Sequence, residues 1–159
     1  MACPLECSSK YRFRLSNMNI IEKSLEVALR AYAGKKDKAG KTYILHPLRI
    51  MGNMACVEEM SAALLHDVIE DSDITAQYLL EEGIPSNIVD AVTLLTKQDG
   101  QTYEEFINNI KDNTLARKIK IADIEDNINI LRLNKVKTTD LERIKKYHKA
   151  WNTLNKAND

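Results

Sequence analysis

With 159 residues, the chain has the length of one domain, and its 23 basic side chains are matched by 23 acidic ones. That balance leaves no charge excess with which to coat nucleic acid, and no stretch approaches the roughly 20 apolar residues that span a bilayer. A 44% hydrophobic share still supplies a real core, and a small anionic substrate in a local pocket stays compatible with neutrality.

Cys3, Cys7 and Cys56 are odd in number and scattered. They argue for a reducing compartment over a disulfide framework, and so for a cytoplasmic protein. The opening "MACPLECSSKYRFRLSN" lacks the continuous apolar run of a signal peptide. Residues 1–17 are expected to be a leader or poorly ordered tail, and 18–159 the domain proper.

In chain order the pattern is helical throughout. Ile20, Ile21, Leu25, Ala28, Leu29 and Tyr32 trace one amphipathic stripe, with Gly34 as its stop. A charged loop, "KKDKAGK", leads through a short extended "TYIL" to His46-Pro47. Proline suits a first helical turn, which places His46 at the helix entrance. A third helix is expected over about Glu58–Ile69. Thr75 caps a short one ending near Gly83, and Pro85-Ser86 opens another that turns Ile88, Val89, Val92 and Leu95 inward. Thr102 with Glu105 forms a capping box ahead of Phe106, Ile107 and Ile110. "TLARKIKIADIEDNINILRL" and "TDLERIKKYHKAWNTL" complete an all-α, compact multi-helix bundle.

The third helix carries "AALLHDVIEDSD". At about 100° per residue, His66, Asp67, Glu70 and Asp71 share less than half of its circumference, and apolar residues lead into them. Burying such carboxylates uncompensated costs on the order of several kcal/mol per ion, which protonation or a cation relieves. An imidazole beside a carboxylate is a usual ligand pair for a divalent metal. His46, and Asp123 in "IKIADIEDN", are the best further ligands. His148, the third histidine, reads as a surface or packing residue. Spacing alone leaves Asp123 open as a satisfied polar residue, and Glu70 and Asp71 as a solvated last turn.

The ordered blocks "AGKTYILHP", "AALLHDVIEDSDIT", "LLTK" and "IKIADIEDN", from about Ile20 to Tyr147, resemble the HD-domain phosphohydrolases. More closely, they resemble the hydrolase domain of the Rel/SpoT alarmone enzymes and their small stand-alone homologues. The resemblance implies an HD-domain bundle with one divalent metal, usually manganese, held by His46, His66, Asp67 and Asp123. It implies Glu70 and Asp71 as the pair that activates water or moves protons. Substrate contacts would be Lys38, Asn127, Arg143 and Tyr147, and Lys36 and Lys97 are further cations for the phosphates. Two departures stand out. Tyr32 and Asp37 replace a histidine and a guanine-facing arginine of the family's loop, and "DIEDN" lacks an arginine and a histidine of the later motif.

The function expected is removal of the 3′-pyrophosphate from ppGpp or pppGpp by metal-activated water. One alternative is an HD phosphohydrolase acting on another phosphorylated nucleotide such as NADPH, because Asp37 would repel guanine where the arginine would stack. Another is a non-catalytic alarmone-binding module. The partner in each case is a small nucleotide, with no nucleic acid and no membrane; a homo-oligomer stays open.

Overall fold

Asn19 accepts the Glu22 N–H at 3.0 Å, and the Glu22 carboxylate accepts the Asn19 N–H at 2.8 Å. This reciprocal cap starts α1 (Ile20–Ala31) in the computed structural model, which describes residues 18–156. The leader expected over residues 1–17 lies outside the described residues. The buried stripe of α1 runs through Ser24, Val27, Ala28 and Ala31 and on to Tyr32. Leu29, expected on that stripe, sits one step round the helix from Ala28 and is 52% exposed. Beyond the helix, Gly34 takes a φ of 75°, the left-handed conformation that favours glycine.

A loop follows whose Lys36 and Thr42 pair in an isolated antiparallel bridge. Then α2 (Leu45–Met51) begins two residues before Pro47. His46 therefore lies inside the first turn, with its N–H donated to the Tyr43 carbonyl at 2.8 Å.

The expected third helix is interrupted. It forms α3 (Val57–Leu65) and a single further turn, α4 (Val68–Asp71). The reason is a diversion of hydrogen bonds. His66 Nδ1 takes the Ala63 carbonyl at 2.8 Å, and the Asp67 N–H goes to the Tyr32 hydroxyl at 3.3 Å. That hydroxyl donates in turn to the Leu64 carbonyl at 3.4 Å. The wheel drawn for an unbroken helix thus ends at His66.

Caps placed the remaining helices where the sequence puts them. Thr75 accepts the Tyr78 N–H at 3.1 Å to start α5 (Ala76–Glu81), and Pro85 precedes α6 (Ser86–Leu95). Thr102 and Glu105 cap α7 (Tyr103–Ile110), and Asn113 caps α8 (Thr114–Ile128). A 3₁₀ turn (Ile130–Arg132) leads toward the long α9 (Thr138–Asn155). The described residues form no β-sheet, so the all-α expectation holds.

Helix α3 is the central post, with Ala62, Ala63, Leu64 and Leu65 all 0% exposed. It packs against α1, α2, α6 and α8, while α9 lies across α8 and α7. Burying each of the two leucines is worth about 1.5–3 kcal/mol. That packing fixes where the chain turns at His66.

Replacing Tyr32 with phenylalanine removes the hydroxyl that closes the break while keeping the ring. We expect a loss of about 1 kcal/mol, read as a lower urea midpoint with an unchanged m-value.

Candidate metal centre and nucleotide pocket

A main-chain carbonyl only accepts hydrogen bonds, so the contact with Ala63 puts the ring proton of neutral His66 on Nδ1 and a lone pair on Nε2. That Nε2 is buried and has no hydrogen-bond partner. It lies 2.9 Å from Asp67 Oδ2 and 3.9 Å from Asp123 Oδ1. Acceptors that face one another in a buried space need a cation between them, either a proton or a metal ion.

Helix α2 brings His46 to the same point, with Nε2 3.2 Å from Asp123 Oδ1 and Nδ1 2.7 Å from Asp126 Oδ2. Ligand atoms of His46, His66 and Asp67 lie within 4.8 Å of one another. Asp123, from the middle of α8, closes the group through its two histidine contacts. Two imidazole nitrogens and two carboxylates fit a divalent transition metal, and the unpartnered His66 Nε2 is the feature that asks for one.

The charges are tightly interlocked. Burial opposes ionisation of Asp67, yet His66 beside it brings the carboxyl down to about 2. Asp123 is held well below the usual carboxylate range, because Lys120 and His46 outweigh its burial. Burial alone would lower the His46 pKa; hydrogen bonds to Asp123 and Asp126 instead raise it from 6.5 to about 9. Burial likewise opposes a charged His66, but the Asp67 carboxylate raises its pKa.

Above this cluster opens a cavity of about 470 Å³. His46, Asp67 and Asp123 form part of its wall; His66 does not line it. Glu70, Asp71, Lys38, Asn127, Arg143 and Tyr147 all line it, as do Lys36 and Lys97. Partial burial of the Glu70 carboxyl pushes its pKa up, against a Lys97 N–H donated to it at 3.3 Å. Asp71 Oδ1 is 3.6 Å from Lys35 Nζ. Asn127 spends its amide on Asp123, bonding Oδ1 at 2.6 Å and the main-chain oxygen at 3.0 Å. Arg143 pairs with Asp140 at 3.0 Å, and the Tyr147 ring lies 6.1 Å from that of Tyr103. His148 is exposed, as expected.

The sequence reading passed over Lys120 and Arg132. Lys120 Nζ is 2.8 Å from Asp123 Oδ2, and both residues line the cavity. Its position three residues before Asp123, on the same helix face, was the available signal. Asp37 lines the cavity as well. Its Oδ1 accepts the Ala39 and Lys41 N–H groups, each at 2.9 Å, and its Oδ2 faces Arg132 Nη1 at 3.4 Å. The carboxylate is thus held between two loop N–H groups and that guanidinium.

No protein-family model matches the chain. A probable GTP pyrophosphokinase of Mycobacterium leprae is 30% identical over 141 residues, which is 81% of this chain and 18% of that protein. A guanosine-3′,5′-bis(diphosphate) 3′-pyrophosphohydrolase of Vibrio cholerae is 33% identical over 67% of this chain and 15% of its own length. One of the same name from Haemophilus influenzae is 34% identical over 66% of this chain and 18% of its own. The chain is related to the Rel/SpoT enzymes. It spans less than a fifth of the length of these curated relatives, so the likeness is that of one domain. Among solved structures, a metazoan orthologue of SpoT described as hydrolysing ppGpp superposes with a TM-score of 0.70 at 22% identity. That match covers 88% of this Rel/SpoT-related chain and 85% of the other, and it establishes the shared helical fold. No helix among the described residues is long and apolar enough to cross a membrane.

The raised His46 pKa has a defined sign. Its contribution to metal-free stability is whole below pH 6.5 and is lost as the pH rises through about 9. Thermal melts of metal-stripped protein between those values should show this decline, and a His46→Gln variant should show a flatter profile.

Proposed function

We propose that this chain is a metal-dependent hydrolase that removes the 3′-pyrophosphate of ppGpp or pppGpp, with manganese as the ion, acting in the cytoplasm. Residues 18–159 form its HD domain. The observation that carries this reading is the buried His66 Nε2 facing Asp67 and Asp123 beneath a cation-lined cavity. The names of the relatives point the same way.

His46, His66, Asp67 and Asp123 would hold the ion. When bound, it supplies positive charge that acidifies water and polarises the scissile phosphate. Glu70, whose pKa burial raises, takes a proton from the attacking water, and Asp71 beside it orients that water. The new bond joins the water oxygen to phosphorus. The bond that breaks joins phosphorus to the 3′-oxygen, which leaves with the electron pair and is then protonated. The products are a guanosine 5′-diphosphate or 5′-triphosphate and pyrophosphate.

Lys120, Lys38 and Arg143 lie along the cavity where the distal phosphates would sit, and their charge offsets the negative charge of the transition state. Tyr147 offers a ring face to the nucleoside. Asn127 acts first on Asp123, by fixing which of its oxygens faces the histidines.

Asp67→Ala should abolish manganese retention and lower pyrophosphate release by at least about a hundredfold; unchanged turnover would remove this mechanism. A panel that includes NADPH, scored for pyrophosphate against orthophosphate, identifies the substrate. Release of orthophosphate from NADPH alone would redirect the assignment.

Glu70→Gln should keep the metal and lose about 10²–10⁴-fold in kcat. Metal content measured on the same sample separates that result from a collapsed site.

A further inference from the structure

Asp126 stands where the family motif has a histidine, and its side chain is only 12% exposed. Its Oδ2 lies 2.7 Å from His46 Nδ1. Arg49 grips the same carboxylate with both arms of its fork, Nε to Oδ1 at 2.7 Å and Nη2 to Oδ2 at 2.9 Å. Arg132 adds Nη2 to Oδ2 at 3.2 Å and to the Asp126 main-chain oxygen at 2.6 Å.

A carboxylate against an imidazole can do one of two things. It can balance a charged imidazolium, which has no lone pair to offer a metal. Alternatively, it can accept a proton from a neutral ring and so fix which nitrogen is left bare. The two arginines fix the carboxylate where the second role needs it. Asp126 and Asp37 are two negative charges, and Arg49 and Arg132 are two positive ones, within one bonded cluster. The two guanidiniums hold the carboxylate in one place and keep it an acceptor, ready for the Nδ1 proton of a neutral ring that binds a metal through Nε2. What it offers the ring is a fixed acceptor on the Nδ1 side, which turns Nε2 toward Asp123.

We propose that Asp126, clamped by Arg49 and Arg132, is a positioning residue that fixes the tautomer and aim of His46. This rests on the reading of His46 as a metal ligand. Outer partners of ligating histidines typically govern metal affinity by about 10- to 100-fold.

The test is titration calorimetry with manganese chloride on the metal-stripped full chain and on Asp126→Asn, with the melting temperature of each metal-free protein taken alongside. The expected result is at least about tenfold weaker binding by the variant, with a fold that melts cooperatively. Equal affinity overturns the inference while leaving the metal reading intact, whereas absence of manganese binding by the native chain overturns both. Should Asp126→Asn fail to fold, the native protein loaded with zinc, a diamagnetic probe, decides the matter by long-range ¹H–¹⁵N spectra of its histidines. A proton on His46 Nδ1 with the metal on Nε2 supports the inference. Metal on Nδ1 overturns it.

Discussion

A buried imidazole lone pair pointing at carboxylates is unstable unless something positive lies between them. The rest of this structure is arranged around that constraint at His66. The ring is pinned by its Nδ1–H to the Ala63 carbonyl, so it cannot turn its lone pair elsewhere without losing that bond. The carbonyl is fixed in turn by α3, whose four apolar residues before His66 are fully buried. Hydrophobic packing, worth several kcal/mol here, is what holds a polar conflict in place. The break in the helix follows from the same pinning. With its carbonyl acceptor taken, the Asp67 N–H turns to the Tyr32 hydroxyl, and the short α4 restarts the helix with Glu70 and Asp71 at the cavity.

The net neutrality of the chain conceals a sharp local ordering of charge. Around the conflict, the two aspartates of α8 have basic neighbours: Lys120 for Asp123, and Arg49 and Arg132 for Asp126. Buried ion pairs of this kind seldom add stability over apolar packing. Here they preserve anions that would otherwise protonate, and an ionised carboxylate is the form that can bind a cation. Further out, Lys36, Lys38, Lys97, Arg143 and Lys146 line the cavity with positive charge.

Helix starts were legible because they depend on neighbours in sequence. Thr75, Pro85 and the Thr102–Glu105 box act within three residues of the turn that they begin. The interruption at His66 was not legible, since its causes include a tyrosine 35 residues away. The convergence of His46, His66, Asp67 and Asp123 could be anticipated because histidines and buried acids are rare enough to stand out. Lys120 stood out less: its i,i+3 spacing from Asp123 was a signal, but a lysine reads as solvated on sequence alone, and the fold also sets it over the Phe106 ring. Leu29 failed for the opposite reason. It satisfies the helical period, but α1 buries a narrower stripe than its apolar residues would cover.

The two departures from the family motif, Asp37 in the loop and Asp126 on α8, look unrelated in the sequence, 89 positions apart by their numbers. In the fold they meet through one side chain, for Arg132 reaches Asp37 with Nη1 and Asp126 with Nη2. Each acid alone would be a burden there. Asp37 would set a negative charge against an anionic ligand, and Asp126 would favour a charged imidazole over a metal-binding one. Arg132 bonds both, so each carboxylate has a cation held against it. Asp37 closes its loop through the Ala39 and Lys41 N–H groups, and it lines the cavity beside the guanidinium that pairs with it. A substitution that looks isolated in the motif is joined in the fold to a second one through a third residue, Arg132.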